Sequence, residues 1–325
     1  MIDDLEKRKM LLSKYPLLLI YRLISGIFSY DSRIARRLPN YFPAYRSFGV
    51  EFLNQFLRLI HSPKSFLPQG IVIEPTSYCN LRCKHCIPQA INEDRGYIDY
   101  ELYKYILDDN PQLTCLILAR NGEPFLHPRI FDLISLAKSK NIYVSLYTNG
   151  ILVSDEKANR ILSTGLDEIN FSMEDIENGY EKNRGISYHK LKHNMGLLIK
   201  KRNQIRSSLK IGINIAVIEK DDYAVRAIQK EWDSQVDHID VEPLMGEKIS
   251  LRTKSCHTLW RNLVVRWNGI VLPCCIDMNS TLVMGDIKNN SLKEIFNSSN
   301  AKAIRESHIK NKFPPVCKYC DEFFG

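Results

Sequence analysis

Hydrophobic and polar positions change rhythm twice along the chain. Up to residue 70 the apolar positions are crowded and irregular. Leu11, Leu12, Leu18, Leu19, Tyr21 and Leu23 stand among Lys14, Arg22, Arg33, Arg36 and Arg37, and Pro39, Pro43, Pro63 and Pro68 punctuate the segment. Within it Phe52, Leu53, Phe56, Leu57 and Ile60 recur at i, i+3/i+4, the period of an amphipathic helix. Residues 1–70 therefore read as a helical extension.

From residue 71 short apolar runs alternate with helical patterns. The runs are Ile71–Ile73, Leu113–Leu118, Ile142–Leu146, Glu168–Met173, Ile211–Ile218 and His238–Val241. Between them lie Asp99–Leu107, Ile130–Ser139, Ser154–Ser163, His189–Arg202 and Asp222–Asp233. Strands separated by helices of this length build βαβ units and a parallel sheet. Six units end near residue 245, too few for a closed eight-stranded barrel and enough for an open one.

After Lys254 the texture changes again. Leu263–Trp267 and Ile270–Leu272 flank Asn268-Gly269, the signal of a β-hairpin turn. Ser291 stands three residues before Glu294, a capping-box spacing that opens a helix over Ser291–Phe296. The reading is an α/β chain: a partial (β/α)6 TIM barrel at 71–255, a helical extension at 1–70, and a small cysteine-rich α+β domain at 256–325.

Composition narrows the function classes. The 325 residues are 44% hydrophobic and 25% charged, as in ordinary globular proteins. Eleven Lys/Arg against five Asp/Glu put +6 of the net +8 in the first 70 residues, so there is no basic face throughout and nucleic acid is not an expected partner. The most apolar early stretch, Tyr15 to Tyr30, carries Pro16, Arg22 and Gly26 and falls short of the ~20 apolar residues of a membrane span. The chain opens with Asp3, Asp4 and Glu6 rather than a basic leader, so a cytoplasmic location is expected. Residues 1–70 have two readings, a helical cap on the open barrel or a peripheral contact with an anionic membrane.

Nine cysteines in such a chain point to metal or redox chemistry rather than disulfides. Cys79, Cys83 and Cys86 form a C-x3-C-x2-C run on the loop after Ile71–Ile73. Three thiolates leave one position open, which suits a [4Fe–4S] cluster with one free iron. Closed structural zinc wants four ligands, and the only local fourth candidate, His85, is bonded into the loop beside Cys86. Cys256-x12-Gly269-x4-Cys274 and Cys317-x2-Cys320 supply four more thiolates. By spacing alone these fit structural zinc and a fully ligated iron–sulfur cluster equally. The Gly-x4-Cys spacing selects Cys274 over Cys275, and Cys115 reads as a small buried hydrophobe.

The whole order of elements resembles the radical S-adenosylmethionine (SAM) superfamily. The C-x3-C-x2-C loop follows the first strand, Asn121-Gly122-Glu123-Pro124 follows the second, and Thr148-Asn149-Gly150 ends the third. Ser172 lies on the fourth, and Arg184-Gly185 comes after it. Arg120-Asn121 departs from the pattern, standing where the family often has two glycines. The resemblance implies that Cys79, Cys83 and Cys86 hold the cluster whose open iron binds SAM. It also implies that Glu123 faces the methionine amino group, Ser172 and Arg184 face the carboxylate or ribose, and His85 packs against adenine. The C-terminal segment resembles the SPASM/twitch extension, which implies an auxiliary [4Fe–4S] cluster on Cys256, Cys274, Cys317 and Cys320.

As for function, the resemblance implies reductive cleavage of SAM and abstraction of a substrate hydrogen atom. It also implies an electron donor such as flavodoxin or ferredoxin. The one-auxiliary-cluster layout resembles the superfamily's cyclitol dehydrogenase, and residues 1–70 lack the strands of a peptide-binding winged helix. The expected substrate is accordingly a sugar, aminocyclitol or other small hydroxylated metabolite, and the expected class is oxidoreductase. The alternative is a peptide- or protein-modifying maturase. A non-catalytic iron–sulfur sensor is a third reading, and Glu123, Thr148-Asn149-Gly150 and Arg184 weigh against it. His127, Tyr147, Glu242 and Asp277 are further candidate bases.

Overall fold

The computed structural model describes residues 44–67, 70–86, 94–217, 222–243, 251–318 and 320. Six parallel strands follow one another in sequence order: β1 (Gly70–Ile73), β2 (Cys115–Leu118), β3 (Tyr143–Thr148), β4 (Glu168–Met173), β5 (Lys210–Val217) and β6 (His238–Pro243). Side chains alternate across a strand, so register decides which residues share a face. One face aligns Ile71, Leu116 and Val144, then Leu146, Ile169 and Ile211, and is buried against the helices. The other aligns Ser145 with Glu168, Tyr147 with Asn170, Ser172 with Asn214, and Asn214 with Asp240. This inner face is polar, as the lining of an open barrel should be.

The helices follow from the expected periodicities. α2 (Tyr100–Asp108) starts at Asp99, whose carboxylate accepts from the Leu102 N–H at 3.0 Å, and buries Tyr103, Ile106 and Leu107. α3 (Ile130–Ser139) buries Ile130, Phe131, Leu133, Ile134 and Ala137. α4 (Asp155–Ser163) is capped by Ser154. α5 (Glu177–Arg184) is a polar helix that no apolar period announces; only Tyr180 and Arg184, one turn apart, are buried. α6 (Tyr188–Gln204) and α7 (Asp222–Trp232) complete the outer layer. An earlier helix, α1 (Ala44–Leu59), packs Leu57 on Cys256, Leu259 and Trp260 of the C-terminal segment. Asn54 and Ser65 reinforce this docking: Ser65 Oγ donates to the Trp260 carbonyl at 2.9 Å and lies 2.8 Å from Asn54 Oδ1.

The barrel stays open because β1 takes a different neighbour on its free edge. β7 (Val264–Val265) pairs with β1 in parallel, Val72 with Val264 and Ile73 with Val265. β8 (Ile270–Leu272) and β9 (Gly285–Asp286) follow antiparallel, so one nine-stranded sheet runs through both halves. The hairpin differs in detail from a two-residue Asn-Gly turn. The Arg266 N–H donates to the Ile270 carbonyl at 2.8 Å and the Gly269 N–H to the Arg266 carbonyl at 2.9 Å, closing a three-residue loop with Gly269 at φ +94°. α8 (Leu292–Phe296) carries the expected Ser291/Glu294 capping box, and α9 (Ser299–Ile309) follows. Among the described residues no helix is long and apolar enough to cross a membrane. The readings placed on residues 1–43 lie outside the described residues.

Candidate functional site

Cys79, Cys83 and Cys86 lie on the loop leaving β1, at the end of the sheet where parallel barrels gather their chemistry. Three neighbouring segments fix that loop. The Glu123 N–H donates to the Tyr78 carbonyl at 2.8 Å, bringing the segment after β2 against it. From the loop after β3, Asn149 Nδ2 donates to Asn80 Oδ1 at 2.9 Å and lies 3.8 Å from the Cys79 sulfur. The Lys84 N–H donates to the Asn183 carbonyl, at the C-terminal end of α5, at 2.9 Å. None of the three forms a disulfide, and all are half-buried. Burial pushes the Cys79 and Cys83 thiols up, and Arg184 is close enough to both to oppose this.

Gly122 explains how the segment after β2 comes so near. A Cβ there would fall 2.2 Å from the Thr76 carbonyl oxygen and 2.6 Å from that of Tyr78, so only glycine fits. Glu123 is buried and its carboxylate is already engaged. Oε1 accepts from the Thr148 hydroxyl at 2.7 Å and the Phe125 N–H at 3.2 Å, and Oε2 from the Asn149 N–H at 2.8 Å. Burial pushes this carboxyl up, and those donors pull the other way. Glu123 thus ties two loops together, leaving roughly one of its four acceptor positions for a ligand.

Arg184 is buried and forks onto Glu174 through Nε to Oε2 at 2.8 Å and Nη2 to Oε1 at 2.5 Å. Burial works against its charge, but the Glu174 carboxylate outweighs it and holds the guanidinium protonated. Sequence reasoning missed Glu174, which stands just beyond β4 and carries no motif of its own. Ser172 is half-buried on the inner face opposite Asn214, and His85 is half-buried between Cys83 and Cys86.

Two of the candidate bases are structural. His127 is buried; its Nδ1 accepts from the Arg129 N–H at 3.1 Å while Nε2 donates to the Ile98 carbonyl at 3.0 Å. Asp277 is buried and accepts from Thr281 and Leu282 backbone N–H groups and the Thr281 hydroxyl, so its carboxylate shapes a loop. Tyr147 and Glu242 share the polar inner face by register. Cys115 opens β2 beside Glu168, apart from both thiol sets, with its thiol pushed up to about 12 by burial.

Folding brings the second thiol set together from three distant segments. Cys274 lies near Cys256 and Cys317, and burial pushes its thiol up. Cys317 lies near Cys256 and Cys320; burial, then those two sulfurs, push it up to about 12, with Arg252 opposing. Arg252 gathers the backbone here, donating Nε to the Cys317 carbonyl at 3.1 Å and Nη2 to the Cys320 carbonyl at 2.9 Å. Cys275 packs on Val72, Val264 and Leu272 and also lies near Cys274.

In both sets the donors are soft thiols, and burial disfavours the ionisation of Cys79, Cys83, Cys274 and Cys317. A cationic iron–sulfur core supplies the charge that such desolvated thiolates lack. Among the described residues no three His, Cys, Asp or Glu side chains are drawn close enough together to hold a single metal ion.

Comparison with known proteins agrees with this geometry. Residues 73–223 match the radical SAM superfamily, and residues 256–321 match SPASM, an iron–sulfur cluster-binding domain. The chain belongs to the radical SAM superfamily and carries a C-terminal SPASM domain. These two domains imply a [4Fe–4S] cluster with SAM in the barrel and auxiliary cluster binding in the C-terminal segment. Over 313 aligned residues the chain is 26% identical to the tungsten-containing aldehyde ferredoxin oxidoreductase cofactor-modifying protein of Pyrococcus furiosus, covering 77% of this chain and 86% of that one. It is 24% identical over 303 residues to the subtilosin biosynthesis protein AlbA of Bacillus subtilis, covering 78% of this chain and 66% of the relative. Among solved structures, BtrN in complex with AdoMet and 2-DOIA superposes with a TM-score of 0.55 at 18% identity, covering 79% of this chain and 94% of that one. SuiB of Streptococcus suis bound to its precursor peptide SuiA superposes with a TM-score of 0.63 at 15% identity, covering 78% and 69%. At such identities the structures establish the shared fold.

Proposed function

We propose that this radical SAM enzyme modifies a peptide or a protein segment. The observation that carries the radical SAM reading is the convergence of the loops after β2 and β3 and the end of α5 on Cys79–Cys86. The substrate class is supported by two relatives, the bacteriocin subtilosin biosynthesis protein AlbA and the PqqA peptide cyclase of Gluconobacter oxydans; the latter is 30% identical, but over 122 residues and 34% of its length. This displaces the expectation of a small hydroxylated metabolite. That expectation rested partly on the helical character of residues 1–70, of which 44–67 dock on the C-terminal segment and 1–43 lie outside the described residues.

Cys79, Cys83 and Cys86 would hold the SAM-binding cluster, and Cys256, Cys274, Cys317 and Cys320 an auxiliary one. When bound, these groups supply reductive cleavage of SAM to a 5′-deoxyadenosyl radical and a nearby electron acceptor. The chain itself binds and orients. Glu123 locks the loop against which the amino acid portion of SAM would lie, Ser172 and Arg184 would offer donors to its carboxylate or ribose, and His85 would flank the adenine. An oxidoreductase outcome follows if the auxiliary site takes an electron from the substrate, and a flavodoxin- or ferredoxin-like protein would supply the initiating one.

The second reading, an aminocyclitol or sugar oxidase, is favoured by the 94% coverage of BtrN. The test is air-free incubation of reconstituted enzyme with SAM and dithionite. Parallel reactions offer short peptides encoded beside the gene or a panel of aminocyclitols, followed by mass spectrometry. A mass change in a peptide with matching 5′-deoxyadenosine supports the proposal. Turnover of a cyclitol alone overturns it, and absence of 5′-deoxyadenosine in every reaction returns the chain to the sensor reading.

A further inference from the structure

Residues 182–210 carry nine Lys/Arg and no Asp/Glu, a local excess larger than the net +8 of the whole chain. The segment covers the end of α5, all of α6 and the entry to β5. α6 buries Leu191, Met195, Leu198 and Ile199, and its opposite stripe exposes Lys190, His193 and Lys200. Cations on the flanks of this helix are paired. Lys192 meets Glu231 at 2.5 Å, Lys201 meets Asp155 at 2.9 Å, and Arg202 meets Asp237. Those on the crest are not. Among the described residues Lys190, Lys200 and Arg206 have no carboxylate at ion-pairing distance, and neither has the exposed Lys182 of α5. Unpaired like charges along one face repel one another and add nothing to folding. They fit a partner surface of opposite sign.

The same surface leads to the thiol loop. Lys182 directly precedes Asn183, whose carbonyl accepts from the Lys84 N–H at 2.9 Å. Lys84 and Arg82 are both exposed and stand between the cysteines of the C-x3-C-x2-C run. The carboxylate next to Lys182 belongs to Glu181, which is half-buried and accepts from the Tyr188 N–H at 3.1 Å. From Lys190 to Lys200 the crest extends about 15 Å, at 1.5 Å per helical residue.

We propose that the crest of α6, continued through Lys182 to Lys84 and Arg82, is the docking surface for the electron donor. The donor it fits is a small carrier of the flavodoxin type, with an acidic rim around an exposed flavin. Opposite charge steers such a carrier and fixes its register. Continuity with the thiol loop brings the flavin toward Cys79–Cys86 from outside, leaving the inner face of the barrel to the substrate. In the transfer the flavin hydroquinone anion gives up one electron to become the neutral semiquinone, and the thiol-held cluster is reduced by one. The proposal rests on the radical SAM reading and is independent of the substrate class.

The experiment uses reconstituted full-length protein, kept free of air, and has two arms. The test variant is Lys182→Glu/Lys190→Glu/Lys200→Glu, which leaves the thiol loop untouched. The control is Lys288→Glu/Lys293→Glu, two exposed lysines of the C-terminal segment. In the first arm, calorimetry at low ionic strength measures binding of a bacterial flavodoxin. Affinity should fall about tenfold in the test variant, added salt should weaken the parent to the same extent, and the control should bind like the parent. In the second arm, 5′-deoxyadenosine is measured with SAM and either NADPH, flavodoxin reductase and subsaturating flavodoxin, or dithionite. The flavodoxin-driven rate should fall by the same factor and the dithionite-driven rate should hold. Absence of flavodoxin binding in the parent overturns the proposal, as does undiminished binding in the test variant. Equal loss in the control overturns it too, because net charge alone would then suffice. A matching loss with dithionite would place the effect on the cluster or the fold and also overturns it. Flavodoxin binding that survives while retention on heparin or on anionic vesicles disappears assigns the surface to another polyanion and rejects the carrier. Flavodoxin binding lost on reversal, with no 5′-deoxyadenosine from the parent under either reductant, supports the docking surface and rejects the radical chemistry.

Discussion

Glu123 and Asn149 are joined by a 2.8 Å hydrogen bond from the Asn149 backbone N–H to Glu123 Oε2. The same asparagine reaches Asn80 with its side-chain amide, so the carboxylate, the loop after β3 and the thiol loop form one connected support. Glu123→Gln would turn an acceptor into a donor facing donors, leaving a buried group unpaired at about 1–3 kcal/mol. The variant should be destabilised in urea by that amount. Its 5′-deoxyadenosine formation should fall on the order of a hundredfold, since small displacements of a reacting group are costly. Lost stability with unimpaired SAM cleavage would separate this support from cofactor placement.

Arg184 and Glu174 form a buried fork at the end of α5. Arg184→Met should cost about 3–5 kcal/mol because it strands the Glu174 carboxylate. Pairing it with Glu174→Leu should recover most of that loss, since two apolar groups replace two charges. SAM affinity, measured by calorimetry on reconstituted protein, should stay weakened in the double variant. Full recovery of affinity would make the fork a packing device only.

The strands were legible because each buried face keeps its period of two, as Ile169, Phe171 and Met173 do on β4. Thr148-Asn149-Gly150 and Gly122-Glu123 were legible as motifs, although the spacing did not show that the glutamate spends its oxygens on the other motif. α5 escaped notice because Glu177–Arg184 has no apolar stripe; its value lies in the Asn183 carbonyl and Arg184, which meet groups far away in sequence. The pairing of β1 with β7 was equally hidden, since a parallel contact between Val72 and Val264 leaves no local signature. Arg120 was visible only as a departure from glycine. Its reach to Asp277 depends on that same long-range pairing.

His127 offers a pH test of a residue first read as a candidate base. Burial lowers its pKa, although the Ile98 carbonyl pulls the other way. A histidine near 6.5 when unfolded and lower when folded takes up its proton first in the unfolded chain. Its contribution is therefore fully present above about pH 6.5 and is lost as pH falls through the folded value. The urea midpoint of metal-free protein should drop between pH 7.5 and 5.5. His127→Gln should lower the midpoint at pH 7.5 and flatten the slope. An unchanged slope would assign the acid sensitivity elsewhere.

Cys274 lies near Cys256 and Cys317 as well as its neighbour Cys275, whereas Cys275 also packs against Val72, Val264 and Leu272. Substituting each with serine should therefore have unequal consequences. Cys274→Ser removes a soft ligand from a site whose other thiols lie apart in sequence, so reconstituted protein should fall from about eight to about four irons per chain. SAM cleavage, which depends on Cys79, Cys83 and Cys86, should persist while modified product disappears. Cys275→Ser should keep its iron and its product. It should lose only about 1–3 kcal/mol of stability, the cost of placing a hydroxyl against Val72, Val264 and Leu272. Iron analysis of both variants under air-free conditions decides the matter: retention of all iron in Cys274→Ser, with loss in Cys275→Ser, would mean that the loop turns over when the cluster binds.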